Sequence, residues 1–446
     1  MVWMALAVPG SPGAIAAEAT VSGAKTTTGA VEEESFKQLE LFARVLSYVQ
    51  NGYVEKVDER QLIYGAIKGM LDTLDPHSVF MPPEVFKEMK IDTSGEFGGV
   101  GIEIAKKDDT ITVVAPVDDT PAARAGIRSG DQLLRIDDES TKGMDVARAS
   151  QKLRGPAGKR VTLSIMRVGF NKPQDITVLR DHIRIVSVEG DLYGGIGYVK
   201  VKNFQERTDA SLRKELDRLR GLNGGKELRG LVLDMRNNPG GLLDQAVAVS
   251  DRFLPGNLVI VSTKGRGKSV TEEKSKDRDT EHAYPIVVLV NAGTASASEI
   301  VAGALQDHGR ATLMGTPTFG KGSVQTVIEL EDGSGLKLTI ARYYTPKGRS
   351  IQERGITPDF IVGEDAGQKV TAKDSLRERD LRQHFRNEFH QDMDKEVAQH
   401  LPQNLKPWEL TQKLSDFQLK VALNFLNQQG PSPMLPGRAR ASATPP

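Results

Sequence analysis

The chain of 446 residues contains no cysteine, so no disulfide can brace it, a condition compatible with either an exported or a cytosolic protein. It has no surplus of either charge, since Lys plus Arg and Asp plus Glu both number 59. A neutral total gives no reason to expect a nucleic-acid partner, although it leaves room for local patches. The seven histidines, at 77, 182, 282, 308, 384, 390 and 400, fall at no metal-ligand spacing such as His-Glu-x-x-His, so neither a metal nor another cofactor is expected. The weakly apolar stretch from Met1 to Ala17 is too short to span a bilayer and is broken by Pro9-Gly10 and Pro12-Gly13. There is no internal repeat.

What is present points to several domains, because one hydrophobic core rarely serves a chain of this length. Residues 1–17 read as a secretory signal whose start is missing: Ala14-Ile15-Ala16 offers a small-residue cleavage site, but no basic residue precedes it. Residues 18–33 are small and polar, as in a flexible linker. Leu39, Phe42, Leu46 and Val49 share one helical face, and a second helix is expected from about Glu59 to Leu74, giving a helical region over 34–92. Leu419, Leu423 and Leu426 repeat helical spacing after the charged stretch Lys373 to Glu396, which marks a C-terminal helical region over 367–429. The Pro-, Ser- and Ala-rich residues 430–446 are expected to be disordered. Terminal helices this apolar either join copies of the chain or pack on its own core.

The chemistry centres on Ser296. It lies in Gly293-Thr294-Ala295-Ser296-Ala297-Ser298-Glu299, after the apolar strand-like Ile286 to Val290 and at the start of a helix. A strand feeding a small-residue turn and then a helix exposes one hydroxyl beside backbone N–H groups that can stabilise an oxyanion. Alone, such a serine is most often a helix N-cap. Lys321, in Phe319-Gly320-Lys321-Gly322-Ser323-Val324-Gln325, supplies a candidate base. At its ordinary pKa of about 10.4 it would be protonated at neutral pH, and lowering it by roughly three units costs about 4 kcal/mol, which burial must supply. Its neighbours are small or apolar, and Gln325 can orient the amine without adding charge. Gly315 to Lys321 starts a phosphate-loop pattern, but Gly322 stands where Ser or Thr should follow and an alternating strand replaces the helix. His308 lies twelve residues along the helix from Ser296, roughly 18 Å away at 1.5 Å per residue, and is read as a helix-end cap.

Ser296, Lys321 and Gln325 resemble the catalytic residues of the C-terminal processing, or tail-specific, peptidases in type, spacing and local sequence. The resemblance runs from about Phe36 to about Asp359 and includes Asp234-Met235-Arg236-Asn237-Asn238-Pro239-Gly240-Gly241 and Tyr343-Tyr344-Thr345-Pro346-Lys347-Gly348-Arg349-Ser350-Ile351-Gln352. Pro239-Gly240-Gly241 is read as a strand-to-helix turn at the same sheet end as Ser296. One of its glycines, taken as Gly241 over Gly240, would form the oxyanion hole with Ala297, and the resemblance supports this. The peptidase core is expected over 183–366. With the residual signal, the resemblance implies export to a bacterial periplasm or envelope, and its relatives suggest homo-oligomers through terminal helices and an activating adaptor.

A second module lies upstream over 93–182. Gly99-Val100-Gly101-Ile102, a strand from Thr110 to Ala115, Pro121 to Ile127 and Gly130 to Ile136 resemble a PDZ domain in order and type. In that likeness Gly99 to Ile102 binds a terminal carboxylate, a strand edge accepts the peptide, and a helix over about Asp145 to Leu153 lines the groove. Partners are therefore expected to be protein or peptide substrates with free C-termini. Val161, Leu163 and Ile165 alternate toward one face and place Arg167 on it, where the resemblance suggests that it bonds the peptidase core and regulates activity. The expected fold is a multi-domain α+β chain: a mixed-sheet peptidase core, an inserted PDZ domain and helical ends. An inactive PDZ scaffold is the alternative.

Overall fold

A computed structural model describes residues 28–107, 109–267, 269–277, 280–281, 284–366, 375–387 and 405–428. The expected signal at 1–17 and tail at 430–446 lie outside them. Helix α1 (Thr28–Gly52) starts inside the expected linker, so its last six residues, 28–33, are helical. Helix α2 (Glu59–Asp72) starts where Asp58 accepts the Gln61 N–H at 3.0 Å, a side-chain N-cap. A turn then leads into β1 (Val79–Met81) and α3 (Pro83–Ser94).

The PDZ module follows. Strand β2 (Glu96–Gly99) leads into β3 (Ile102–Lys107), β4 (Thr110–Pro116), α4 (Pro121–Arg124), β5 (Gln132–Ile136), β6 (Glu139–Ser140), α5 (Val146–Leu153), β7 (Arg160–Met166), β8 (Gln174–Leu179) and β9 (Asp181–Arg184). Its sheet runs β3-β4-β5-β7-β8, which leaves β3 at an edge, and β2 pairs with β9 to close the module's base. Alternation decides the burial of β7: Val161, Leu163 and Ile165 face a core shared with Ile111, Leu133 and Ala149.

The peptidase core begins with β10 (Val188–Tyr193), β11 (Ile196–Val201), α6 (Thr208–Leu222), β12 (Gly230–Asp234), α7 (Leu243–Phe253), β13 (Val259–Gly265) and β14 (Val270–Lys274). It continues through β15 (Ile286–Val290), α8 (Ala297–Asp307), β16 (Thr312–Gly315), β17 (Ser323–Glu329), β18 (Gly335–Tyr344) and β19 (Phe360–Ile361). One sheet has the order β10-β11-β12-β15-β16-β19, parallel from β11 onward. Both of its faces are covered, which is why β12 and β15 are apolar at nearly every position. Leu231, Leu233, Val288 and Val290 pack toward α6, α7 and α8, while Val232, Val287 and Leu289 meet α9 (Phe417–Gln428) on the other side. Leu419, Leu423 and Leu426 of α9 are buried there, so this face of the C-terminal helix packs on the chain's own core. By contrast, Phe36, Leu39, Phe42, Val45 and Tyr48 of α1 are exposed. Among the described residues no helix is long and apolar enough to cross a membrane.

A second, antiparallel sheet, β1-β18-β13-β14 with β17 also on β18, lies beside the parallel one. The register between β17 and β18 shifts between Val324 and Gln325, so Gln325 stands opposite Thr339. Such a bulge re-aims side chains next to it.

Candidate active site

Ser296 follows β15 at the N-terminus of α8 with φ +56° and ψ −117°, a backbone conformation that a residue with a side chain adopts only when its surroundings enforce it. The enforcing contacts are specific. Ser296 N–H donates to Glu299 Oε2 at 2.8 Å, Ala295 N–H donates to Asn238 O at 3.0 Å, and Ser298 Oγ donates to the same carbonyl at 3.0 Å. The hydroxyl itself is buried and bonds to no described group.

Gly240 and Gly241 divide the work of the adjoining turn. A Cβ on Gly240 would come within 2.9 Å of Ser296 Cβ, so this glycine permits the turn to reach the serine. Its N–H is already committed to Asn238 Oδ1 at 2.9 Å. Gly241 packs against Phe204, and neither its N–H nor that of Ala297 donates to another described group. Of the two glycines, Gly241 has the available donor.

Lys321 has no solvent exposure, and its Nζ donates to Gln325 Oε1 at 2.7 Å. Burial pushes its pKa down to about 7, helped by the like charge of Lys337 and opposed by Glu378, Glu299 and Asp75. Lys337, on the same face of β18 as Thr339, is itself pushed down to about 8 by burial, with Asp75 acting against the shift. No hydrogen bond joins Lys321 Nζ to Ser296 Oγ, but their backbones share one acceptor, because Lys321 N–H also donates to Glu299 Oε2, at 2.9 Å.

Glu299 is the residue that sequence reasoning missed. Its Oε1 accepts from Thr318 Oγ1 at 2.6 Å and Gly320 N–H at 2.7 Å, while its Oε2 holds the N–H groups of Ser296 and Lys321. One buried carboxylate thus clamps the Ser296 and Lys321 segments together. Burial raises its pKa to about 7, and these four hydrogen bonds act in the other direction. The Ser-x-x-Glu spacing of a capping box was the available signal.

Other motif residues support the frame. Arg236 donates to Asp234 Oδ2 at 2.7 Å and to Asp416 Oδ2 at 2.6 Å, tying the strand end of β12 to the start of α9. His308 caps α8 and bonds Val259 O at 2.7 Å, away from the serine. In the PDZ module Gly101, at φ +80°, turns the chain from β2 into β3, and a Cβ there would meet the Thr120 side chain at 2.3 Å. The N–H groups of Val100 and Gly101 donate to no described group, and α5 lies alongside edge strand β3. Gly99 pairs with Asp181 at the end of β2, and Ile102 opens β3. In this structure Arg167 bonds within its own module. Its Nε and Nη2 donate to Asp131 at 2.6 and 2.7 Å, and Nη2 donates to Gly126 O at 2.8 Å. The charge needed a partner on the inward face of β7, and fully buried Asp131 of the same module supplies it.

Fold and site together define a serine peptidase of the S41 class that carries a PDZ domain. The model of peptidase family S41 matches residues 195–362, a PDZ model matches 112–167, and the model of the activating protease CtpB N-terminal domain matches 12–85. The chain belongs to the carboxy-terminal-processing proteases: it is 44% identical over 405 residues to the Carboxy-terminal-processing protease of Bartonella bacilliformis, covering 90% of this chain and 91% of that relative. It is 38% identical over 314 residues to the Carboxy-terminal processing protease CtpA of Bacillus subtilis, covering 70% and 66% of the two chains. A solved structure, the photosystem II D1 C-terminal processing protease, shares 32% identity across 75% of this chain and 91% of its own, with a TM-score of 0.43.

Proposed function

We propose that this serine peptidase cleaves proteins near their C-termini through an acyl-enzyme, with Ser296 as nucleophile and Lys321 as general base and acid. The observation that carries the reading is a fully buried lysine whose pKa burial lowers to about 7, whose amine bonds, among the described residues, to the uncharged Gln325, and whose backbone shares a carboxylate with a strained serine. A lysine with a pKa near the working pH can take the serine proton and return it to the leaving amine. Gln325 orients the amine, and the free N–H groups of Gly241 and Ala297 receive the oxyanion. The PDZ groove captures the substrate's terminal carboxylate at Val100 and Gly101 while β3 accepts its backbone. The exposed face of α1 favours self-association. Export to the bacterial envelope completes the reading, supported by the residual signal and by the bacterial relatives.

Ser296→Ala and Lys321→Ala should each cut turnover of an unstructured protein by roughly a thousandfold or more, and the double variant should be no worse than either. The wild-type acylation rate should climb with pH through a midpoint near 7, as Lys321 loses its proton. Near-normal proteolysis by either single variant would remove the dyad. Amidating a peptide's C-terminus should weaken its binding to the full chain, measured calorimetrically on Ser296→Ala; equal binding of acid and amide would remove the carboxylate loop from recognition.

A further inference from the structure

We infer that Asp75, acting through Thr339, fixes the Gln325 amide and so the direction of the Lys321 lone pair, which makes the turn before β1 a positioning element for the base. The inference rests on the Ser296 and Lys321 reading above.

The argument concerns the direction of donation. A neutral lysine amine has two protons and one lone pair, and the lone pair must be free to take the serine proton. Gln325 leaves it free only if its oxygen, not its NH2 group, faces Nζ. In the structure Oε1 accepts from Nζ, while Nε2 donates to Ser323 Oγ at 2.8 Å and to Thr339 Oγ1 at 3.2 Å. A reversed amide would point its own N–H at the lysine lone pair. Thr339 resists reversal because its single hydroxyl proton goes to Asp75 Oδ1 at 3.2 Å, so that its oxygen is left to accept. An ionised carboxylate can only accept, and it therefore sets the direction of the whole chain from Lys321 to Asp75.

The turn is built for this task. Asp75 is 3% exposed and accepts the N–H groups of His77 and Ser78 at 2.8 and 2.9 Å and the Ser78 hydroxyl at 2.6 Å. Ser78 Oγ in turn accepts Thr339 N–H at 3.1 Å. Strand β1 docks the turn by pairing Val79 with Lys337, two residues from Thr339. A second tie reaches the backbone beside the lysine: His77 Nε2 bonds Glu378 at 2.9 Å, Glu378 accepts Gln352 Nε2 at 3.0 Å, and Gln352 Oε1 accepts Gly322 N–H at 2.9 Å.

The test uses the full chain, with the rate of labelling by a fluorophosphonate measured against pH and kcat and KM measured on an unstructured protein. Thr339→Val should slow plateau labelling and kcat by roughly ten- to hundredfold with KM little changed, whereas Thr339→Ser, which keeps the hydroxyl, should recover most of the rate. The charged groups acting on Lys321 are Lys337 on β18, Glu299 on α8, Glu378 in the segment after the core and Asp75 in the turn, and titratable His77 lies beside Glu378. Removing the Asp75 charge in Asp75→Asn withdraws support from the protonated lysine, so the plateau should fall and the midpoint should move to lower pH. The midpoint reports only the lost charge, so the plateau decides: a wild-type plateau in folded Asp75→Asn would overturn the inference. Equal rates for Thr339→Val and Thr339→Ser would overturn it as well, and this pair decides the matter if Asp75→Asn does not fold. Lys321→Ala separates the two readings: persistent labelling there overturns the dyad itself, whereas a dead Lys321→Ala beside a wild-type-like Thr339→Val overturns only the role of Asp75.

Discussion

Lys321 and Glu299 are both fully buried ionisable groups, and each is tolerated for a different reason. Glu299 is surrounded by donors, so its burial is compensated in part by hydrogen bonds, and its raised pKa marks what they leave uncompensated. Lys321 has one neutral partner and escapes the cost by giving up its proton. Its folded pKa of about 7 lies below the ordinary 10.5, so the unfolded chain binds the extra proton between those values. The penalty is therefore full below pH 7 and fades as pH rises toward 10.5. Replacing Lys321 by Met, similar in length and without charge, should raise stability most at pH 6, by at most about 5 kcal/mol before the lost hydrogen bond to Gln325 is subtracted. Thermal unfolding of Lys321→Met should thus show a gain over wild type at pH 6 that shrinks by pH 9; a gain constant across that range would mean that Lys321 is not held neutral. The lysine was legible in the sequence because its small and apolar neighbours advertised a dry pocket. The clamp by Glu299 was not, because its four donors come from four residues whose meeting depends on how β15, α8 and the segment before β17 come together.

At the scale of elements, local patterns carried furthest where one strand or one helix face decides the outcome. The alternation of β7 placed Arg167 correctly on the inward face, but alternation names a face and not a partner, and Asp131 lies 36 residues away. The bulge opposite Gln325 left no mark in the sequence, since the β17 pattern Val324, Thr326, Ile328 reads as regular. The position of α9 was open between two physical solutions, and the buried face formed by Val232, Val287 and Leu289 is what decides it. Arg167→Ala would leave Asp131 buried without its countercharge, a loss of roughly 3 kcal/mol for a pair of this kind. Hydrogen exchange of the β5 and β7 amides should quicken in that variant while the β12 and β15 amides keep their protection. Arg167→Lys should recover only part, because a lysine cannot reproduce the two-pronged contact.

Across the whole molecule the site depends on segments that flank the peptidase core in sequence. Ending the chain after residue 366 would remove both Glu378 and α9, uncovering the apolar face that α9 protects. Such a chain should be largely insoluble or bind an apolar dye strongly, and soluble, active protein would show that the C-terminal region is dispensable. The tie from His77 to Glu378 spans 301 residues, and the contact between Asp75 and Thr339 spans 264. A ribosome delivers these partners in order, the first turn early and Glu378 only after the serine, the lysine and the glutamine have all emerged. A chain still being made therefore carries Ser296, Lys321 and Gln325 before it carries Glu378, the last of the groups in the tie to Gly322.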